Sequence, residues 1–162
     1  MDLTNARIEP IKLEHIHEII SWKYDEPYSV YDLENSEETI KNFQNNDYFV
    51  MIGENEELIG FYCYGVEATI PYGSIYNAYE DEGYVDIGLG MNPKYVSQGL
   101  GYSFLERGLA YLSNRLNTNR FRLSVLESNI RGRKLYSKIG FKVKSVFPSN
   151  INQNHFIVMI RE

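Results

Sequence analysis

The pattern of apolar and polar positions divides this chain into short strands and amphipathic helices. Alternating or continuous apolar runs predict strands, whereas apolar residues spaced three and four apart predict helices. The predicted elements are, in chain order, a strand over Ala6–Lys12, a helix from Leu13 to near Tyr24, a helix over Glu37–Asn46, strands over Tyr48–Ile52, Leu58–Val66 and Tyr84–Met91, a helix from about Gly101 to Asn117, a strand over Phe121–Val125, a helix over Asn129–Ile139, and a closing hairpin of Lys142–Val146 and His155–Ile160. A long connection over residues 67–83, rich in tyrosine and acidic residues, precedes the Tyr84–Met91 strand.

Residues typical of helix ends support two of these boundaries. Ser36 is the predicted N-cap of the second helix, because its hydroxyl can accept a hydrogen bond from a first-turn N–H. Gly140 is predicted to close the last helix, since glycine readily takes the left-handed conformation found there. The chain contains no internal repeat, low-complexity tract or linker. Residues 1–162 are therefore predicted to form a single domain.

A glycine loop follows the strand that ends at Met91. Gly99 and Gly101 stand where the next helix begins, and the free N–H groups of a first helical turn bind anions. The P-loop pattern Gly-x-x-x-x-Gly-Lys-Ser/Thr is absent. The dinucleotide fingerprint fails because Phe104 stands where its third glycine belongs. The loop is thus either a phosphate loop of another kind or an ordinary tight turn between a strand and a helix.

A second motif lies further along the chain, where Asn129 is followed by Leu135-Tyr136-Ser-Lys-Ile-Gly140-Phe141. Together with Gly99-Leu-Gly101, its order and spacing resemble the GNAT superfamily of acyl-CoA-dependent N-acetyltransferases. The resemblance covers residues 47–162 well and residues 1–46 loosely. It implies an α/β (α+β) fold with a mixed, mostly antiparallel central sheet of about six to seven strands, flanked by about four helices.

The resemblance also implies where acetyl-CoA would bind as cosubstrate. Leu89 and Met91 would lie beside the pantetheine arm, and Asn129 would steady it. The pyrophosphate would be held, mostly by backbone groups, along Ser97, Gln98, Gly99, Leu100, Gly101 and Tyr102. When the glycines are aligned, Val96 stands where the family usually has Gln or Arg. One side-chain contact to the phosphates is therefore in question, and the adjacent Gln98 is a candidate to replace it.

The same resemblance assigns catalytic roles. Tyr136 would face the sulfur as general acid, since a phenol of pKa ~10 is protonated at neutral pH and can donate to a thiolate of intrinsic pKa ~8.5. The Leu89 N–H would stabilise the oxyanion of a tetrahedral intermediate. Asp86, where the family often carries Glu, is the candidate base for the attacking amine, and Glu82 acting through water is the alternative. The alternative interpretation of Tyr136 is a residue that packs the helix against the sheet. The alternative interpretation of Asp86 is a solvated carboxylate at a strand edge.

Cysteine, histidine and hydropathy patterns favour a cytoplasmic protein without a metal. No apolar run approaches the ~20 residues of a membrane span, and the N-terminal residues lack signal-peptide character. Cys63 is the only cysteine, which excludes an internal disulfide and fits a reducing compartment. The three histidines are scattered, and no metal-ligand spacing emerges.

Charge is distributed unevenly along the chain. Residues 1–90 hold 4 basic and 19 acidic residues, a net charge of −15, whereas residues 91–162 hold 12 basic and 3 acidic residues, a net charge of +9. The basic half suits a polyanion such as coenzyme A, and the acidic half suits a cationic acceptor. The overall acidity argues against nucleic acid as a partner. Ordinary solvated surface charge is the alternative interpretation.

Aromatic residues concentrate in the acidic half, which holds 10 of the 14 tyrosines and the only tryptophan. Trp22 and Tyr24 follow the first helix, which in the family borders the acceptor, and aromatic faces beside carboxylates suit an ammonium group. The predicted acceptor site therefore includes Trp22 and Tyr24. Loop packing, or the interface of a homodimer, is the alternative for these aromatic residues.

The sequence thus predicts an N-acetyltransferase that acts on a primary amine of a small cationic molecule by direct attack. Two alternatives stay open. One is a protein or peptide N-terminal acetyltransferase, whose partner would contact the tyrosine-rich loops. The other is a non-catalytic module that binds acyl-CoA, a reading that Val96 favours and Tyr136 opposes.

Overall fold

The computed structural model describes residues 1–44, 47–150 and 154–162. Its strands are β1 (Arg7–Pro10), β2 (Tyr48–Ile52), β3 (Leu58–Tyr64), β4 (Val85–Met91), β5 (Phe121–Leu126), β6 (Lys142–Pro148) and β7 (His155–Arg161), and its α-helices are α1 (Leu13–Ser21), α2 (Glu37–Gln44), α3 (Gly101–Leu116) and α4 (Ile130–Lys138). The strands form one mixed sheet in the order β1-β2-β3-β4-β5-β7-β6. The mixed, mostly antiparallel sheet confirms the predicted fold class.

Each predicted strand and helix is present, with ends that differ by a few residues. Both predicted caps are confirmed: Ser36 Oγ accepts a hydrogen bond from Thr39 N at 3.2 Å, and Gly140 has a φ of +104°. Asn45 and Asn46, the predicted end of the second helix, lie outside the described residues. The pattern missed the 3₁₀ turns, because segments of three to six residues are too short to show a period. These turns span Tyr28–Tyr31, Val66–Ala68, Pro71–Tyr76 and Pro93–Tyr95.

The chain divides into two compact units, each built from two segments. Unit 1 comprises Met1–Cys63 and Leu89–Gly108, and unit 2 comprises Tyr64–Gly88 and Leu109–Glu162. The boundary between the units therefore falls within β4 and within α3, so each of these elements begins in one unit and ends in the other. That the whole chain acts as one domain stays a prediction.

Unit 1 is built on the antiparallel strands β1, β2 and β3, with Val50 of β2 opposite Phe61 of β3. Apolar clusters cover both faces of β2, which explains its uninterrupted apolar sequence. Val50 and Ile52 pack with α1 and α2, whereas Met51 packs with the start of α3. The second cluster includes Leu100 and Phe104, so the first turns of α3 are fixed by their apolar side chains.

Unit 2 is built on strands with mixed directions. β4 pairs in parallel with β5 at Val85 and Asp86, and β7 pairs antiparallel with both β5 and β6. Its apolar cluster comprises Ala78, Leu126, Phe147, Phe156 and Val158, with Ile70, Tyr72 and Tyr79 packed against it. The tyrosine-rich connection over residues 67–83 is therefore part of the packed structure of unit 2.

Candidate active site

The end of β4 is fixed by a buried asparagine in unit 1. Asn92 is 3% exposed, and its Nδ2 donates to Leu58 O at 2.9 Å while its Oδ1 accepts from Lys94 N at 3.0 Å. The sequence analysis did not identify this residue. An Asn-Pro pair directly after a strand is a turn signal that could have pointed to it. Asn92 thus joins β4, β3 and the following 3₁₀ turn at one point.

The glycine loop continues from this turn to α3. Ser97 and Gly99 both have left-handed backbones, with φ of +59° and +78°. Gln98 Nε2 donates to Lys94 O at 2.5 Å, so this amide helps to close the loop. Leu100 is buried, and its carbonyl accepts from Phe104 N at 2.9 Å. A loop with this conformation brings the chain into α3 with the helix start at Gly101.

The surroundings of this loop fit a bound anion. A Cβ at Gly99 would have no described atom within 4 Å outside its chain neighbours, so the backbone there borders open space. The first turn of α3 contains no acidic residue. Because the first N–H groups of a helix lack intrahelical partners, they can donate to phosphate oxygens. The predicted pyrophosphate contacts of Ser97–Tyr102 stay a prediction, with geometry that suits them.

The last residues of β4 lie against aromatic side chains of unit 1. Leu89, Gly90 and Met91 are half-buried. A Cβ at Gly90 would overlap with the ring of Phe61, so only glycine fits beneath that ring without movement. Tyr24 Oη donates to Met91 O at 2.7 Å. Tyr24 and Met91, predicted to contact different substrates, are thus in direct contact with each other.

Trp22 is a core residue of unit 1. Its side chain is 7% exposed and belongs to the cluster of α1 and α2. The indole stacks on Phe61 with ring centroids 6.2 Å apart and an interplanar angle of 25°. Packing therefore accounts for its position. Its predicted contact with the acceptor stays a prediction, but little of the ring is available for it.

Asp86, the candidate base, forms a buried ion pair in unit 2. Both carboxylate oxygens accept from Arg122, Oδ1 from Nε at 2.7 Å and Oδ2 from Nη2 at 2.8 Å. The two side chains are only 12% and 5% exposed. This hydrogen bond to Asp86 raises the pKa of Arg122 above its ordinary value, so the guanidinium is firmly charged. Asp86 is thus not at a solvated strand edge, and both of its oxygens are engaged by Arg122.

Arg122 also contacts the tyrosine-rich connection. Its Nη1 donates to Asp81 O at 2.8 Å, and its guanidinium carbon lies 5.2 Å from the centre of the Tyr79 ring. Tyr79 Oη lies 2.7 Å from Ser124 Oγ and accepts from Ile70 N at 3.0 Å, and burial raises the pKa of this phenol. The sequence analysis missed Arg122. An arginine within the apolar strand Phe121–Leu126 is a signal, because a buried arginine requires a partner.

Asn129 and Tyr136 both belong to unit 2 and are linked through α4. Asn129 is the N-cap of this helix, and its Oδ1 accepts from Gly132 N at 2.8 Å. Tyr136 is half-buried two turns further on, and its ring makes a T-shaped contact with Phe141 at a centroid distance of 6.2 Å. The cap role was not predicted from the sequence. It fixes Asn129 at the start of the helix that carries Tyr136.

The described residues hold neither a metal-binding cluster nor a membrane-spanning helix. Residues 1–44, 47–150 and 154–162 contain no group of three or more His, Cys, Asp or Glu side chains arranged to hold a metal ion. None of the helices described is long and apolar enough to cross a membrane.

Comparison with known proteins places the chain in a family. The sequence model described as Acetyltransferase (GNAT) family matches residues 13–141. The chain therefore belongs to the GNAT acetyltransferase family, and it is accordingly an acyl-CoA-dependent N-acetyltransferase. A search of the curated proteins found no significant match.

Solved structures with the same fold share little sequence with this chain. A chimera of spermidine N-acetyltransferase SpeG from Vibrio cholerae and hSSAT has a TM-score of 0.73 at 16% identity, covering 98% of this chain and 95% of that chain. A GNAT family acetyltransferase from Bacillus anthracis has a TM-score of 0.71 at 16% identity, with coverages of 99% and 96%. The ribosomal-protein-S18-alanine N-acetyltransferase from Escherichia coli has a TM-score of 0.64 at 19% identity, with coverages of 96% and 92%. At these identities the similarity establishes the fold.

Proposed function

We propose that the protein transfers an acetyl group from acetyl-CoA to the primary amine of a small cationic molecule. The observation that carries this proposal is the open glycine loop at the start of α3, in a chain of the GNAT family. The backbone of Ser97–Tyr102 would bind the pyrophosphate, and Leu89, Met91 and Asn129 would bind the pantetheine. Acetyl-CoA supplies an acetyl thioester, and the residues of the chain supply orientation and proton transfer.

Two groups would act on the reacting atoms. The Leu89 N–H would donate to the carbonyl oxygen as negative charge develops on it, the role of an oxyanion-hole donor. After the C–N bond has formed, Tyr136 would give its phenolic proton to the sulfur as the tetrahedral intermediate collapses and the C–S bond breaks. The amine contributes the electron pair for the C–N bond and releases one proton to a base. Tyr136 would recover its proton from solvent after the thiol leaves.

Glu82 acting through water is the base that we favour. Both oxygens of Asp86 accept hydrogen bonds from Arg122, and its side chain is only 12% exposed, so an incoming amine has little access to this carboxylate. Glu82 is exposed in the connection before β4. In this proposal Asp86 fixes Arg122, β5 and the connection, while Glu82 relays the proton.

Charge supports a cationic acceptor. Residues 1–90 carry a net charge of −15, and several of their acidic side chains are exposed around α2, among them Glu34, Glu37 and Glu38. A surface of this sign concentrates cations. Spermidine, the substrate in the name of one structural neighbour, is a cation of this class. The neighbour named for an S18 alanine acceptor supports the second candidate, a protein or peptide N-terminus.

The test is an acceptor panel with purified protein and acetyl-CoA, with free thiol as the readout. Polyamines, other small amines and N-terminal peptides are compared at low and high salt. We expect turnover with a small polycation and a KM that rises with salt, because exposed charges are screened over ~8–10 Å at physiological ionic strength. Turnover with peptides alone would favour the second candidate. Coenzyme binding without turnover of any acceptor would favour a non-catalytic module.

Two variants test the assigned roles. Tyr136→Phe is expected to lower kcat about 10²- to 10⁴-fold with coenzyme binding nearly intact. Gly101→Glu is expected to abolish coenzyme binding in calorimetry, because it adds a negative charge at the helix start. Wild-type kcat from pH 6 to 9 in the first variant would reduce Tyr136 to a packing residue. Undiminished affinity in the second would remove the loop from the binding site.

A further inference from the structure

The segment between α1 and the Tyr28–Tyr31 turn makes two separate contacts with the end of β4, all within unit 1. The first contact runs through an aromatic ring. Trp22 stacks on Phe61, and the Phe61 ring lies so close to Gly90 that a Cβ at Gly90 would overlap with it. The indole therefore packs against the same ring that lies next to the backbone of β4 at Gly90.

The second contact is a hydrogen bond to the same part of the strand. Tyr24 Oη donates to Met91 O at 2.7 Å, across 67 residues of sequence. Tyr24 is itself held, because its backbone N–H donates to Asp32 Oδ1 at 2.9 Å. The adjacent Lys23 Nζ lies 3.9 Å from the other oxygen of Asp32.

The peptide group that joins Met91 to Asn92 is therefore fixed from two sides. Its carbonyl accepts from Tyr24, and its N–H donates to Ile59 O at 2.8 Å. A peptide group is planar, so two such bonds fix its orientation. The strand just before it reads Gly88-Leu89-Gly90, and glycine gives a chain more conformational freedom than any other residue. The contacts at Gly90 and Met91 add to the pairing of β4 in the sheet in holding this glycine-rich stretch in one conformation.

We propose that Trp22 and Tyr24 form a clamp on β4 that positions its backbone for acetyl-CoA. Tyr24 is then a positioning residue for the coenzyme, and it does not bind the amine. This inference rests on the proposed function, in which Leu89 and Met91 contact the pantetheine. It replaces the acceptor role that the sequence alone suggested for both aromatic residues.

The decisive variant is Tyr24→Phe, which keeps the ring and removes the hydroxyl. A neutral hydrogen bond contributes enough that its loss should raise the KM and the calorimetric Kd for acetyl-CoA about 3- to 10-fold. The KM for the amine should stay within about 2-fold of wild type, a smaller change than the loss of one hydrogen bond would cause. A rise in the amine KM alone, an equal rise in both, or no change in either overturns the clamp.

Tyr84→Phe is the matched control, because it removes a tyrosine hydroxyl just before the other end of β4. Tyr84 Oη donates to Glu162 Oε1 at 2.6 Å and makes no described hydrogen bond to the backbone of β4. This variant should leave both KM values at wild type. Trp22→Phe, which keeps an aromatic ring above Phe61, should raise the acetyl-CoA KM less than Trp22→Leu does.

Hydrogen exchange in the coenzyme-free protein separates this inference from the proposed function. Tyr24→Phe should speed exchange of the Asn92 N–H, whereas Tyr84→Phe should leave it unchanged. Faster exchange shows that Tyr24 fixes this part of β4 even if the wild-type protein fails to bind coenzyme A, an outcome that would refute the proposed function and leave the clamp without a role in coenzyme binding. Unchanged exchange at Asn92 in Tyr24→Phe overturns the clamp whatever the coenzyme does.

Discussion

Units 1 and 2 fix their candidate site residues through different forces. In unit 1 the end of β4 is held by ring packing and by hydrogen bonds between neutral groups, with Trp22, Phe61 and Tyr24 as the main partners. In unit 2 the start of β4 is held by the ion pair of Asp86 and Arg122, whose guanidinium also reaches Asp81 O and the Tyr79 ring. The end of β4 is thus positioned by packing and neutral hydrogen bonds, whereas its start is positioned by a buried ion pair.

The difference predicts distinct sensitivities. Packing contacts respond to side-chain volume, because protein interiors are close-packed and tolerate little extra bulk. A buried ion pair responds to removal of either partner, since the other charge is then left without compensation. Changes of volume should therefore be most harmful in unit 1, and changes of charge in unit 2.

The largest expected effect is in unit 2. Arg122→Leu leaves the Asp86 carboxylate buried and uncompensated, so we expect the free energy of unfolding to fall by about 3–5 kcal/mol. Asp86→Asn should have a smaller effect of the same sign, because an amide oxygen can still accept one hydrogen bond. Chemical denaturation at neutral pH measures both variants.

Arg7→Leu in unit 1 is the matched control. Arg7 also makes a bidentate ion pair: its Nη1 and Nη2 donate to Glu56 Oε1 and Oε2 at 2.8 and 2.6 Å. The side chains of Arg7 and Glu56 are, however, 47% and 72% exposed. Solvent screens such pairs, so this variant should lose much less stability than Arg122→Leu. Equal losses in the two variants would show that burial does not distinguish the two units.

The second effect tests volume in unit 1. Gly90→Ala places a methyl group against Phe61, and overpacking of this kind costs about 1–3 kcal/mol. Adding Phe61→Leu should recover part of the loss, because a smaller side chain makes room for the methyl group. Denaturation of the two single variants and the double variant forms a double-mutant cycle. An additive result would mean that the two positions do not press on each other in solution.

Local patterns predicted much of the fold, because strands and helices follow from the spacing of apolar residues. The β2 sequence Tyr48–Ile52 and the α3 sequence beginning at Gly101 both carry that signal along a single stretch of chain. The resemblance to the GNAT motifs predicted the fold class and which segments would bind the coenzyme. Neither source reports which distant residues touch.

The contacts that define the candidate site are of this distant kind. Arg122 meets Asp86 only because β4 and β5 pair in parallel at that register, and Tyr24 meets Met91 across 67 residues. A sequence shows that a buried arginine needs a partner, but it does not say which one. The sequence therefore did not reveal that Arg122 engages Asp86 or that Tyr24 contacts Met91, and the roles of base and acceptor contact predicted for Asp86 and Tyr24 stay predictions.

The third effect compares helix caps in the two units. Ser36→Ala removes the cap of α2 and Asn129→Ala removes the cap of α4, and each should cost about 1 kcal/mol of stability. In our proposal only Asn129 also contacts the pantetheine. Calorimetry with coenzyme A should therefore show weaker binding for Asn129→Ala alone.

Asn129→Ser separates the two roles of this residue. Serine is also a good N-cap, so this variant should keep the stability of wild type. The loss of coenzyme affinity should remain, because the amide is gone. If Asn129→Ser binds coenzyme A as tightly as wild type, capping is the whole contribution of this residue.

The smallest effect lies at the exposed end of unit 2. The Tyr84 hydroxyl is the main cause that lowers the pKa of Glu162, and Arg120 adds a second contribution through a contact of 3.3 Å. Tyr84→Phe should raise the pKa of Glu162 towards its ordinary value. The pKa should stay somewhat below that value, because Arg120 remains in place.

The sign of the pH dependence follows from this shift. A carboxyl group whose pKa is lowered by folding stabilises the folded state above its unfolded pKa, and this stabilisation is lost as the pH falls through the folded pKa. Tyr84→Phe should therefore reduce the stabilisation that Glu162 contributes at pH 7. In strong acid this contribution is absent from wild type as well, so the difference due to Glu162 should vanish there. Carbon NMR titration of the Glu162 carboxyl measures the shift directly, with Tyr79→Phe as the control because its hydroxyl meets Ser124 and Ile70 N. If the pKa of Glu162 is unchanged in Tyr84→Phe, the contact between Tyr84 and Glu162 contributes nothing. The buried pair of Asp86 and Arg122 would then be the charged contact that positions β4 in unit 2.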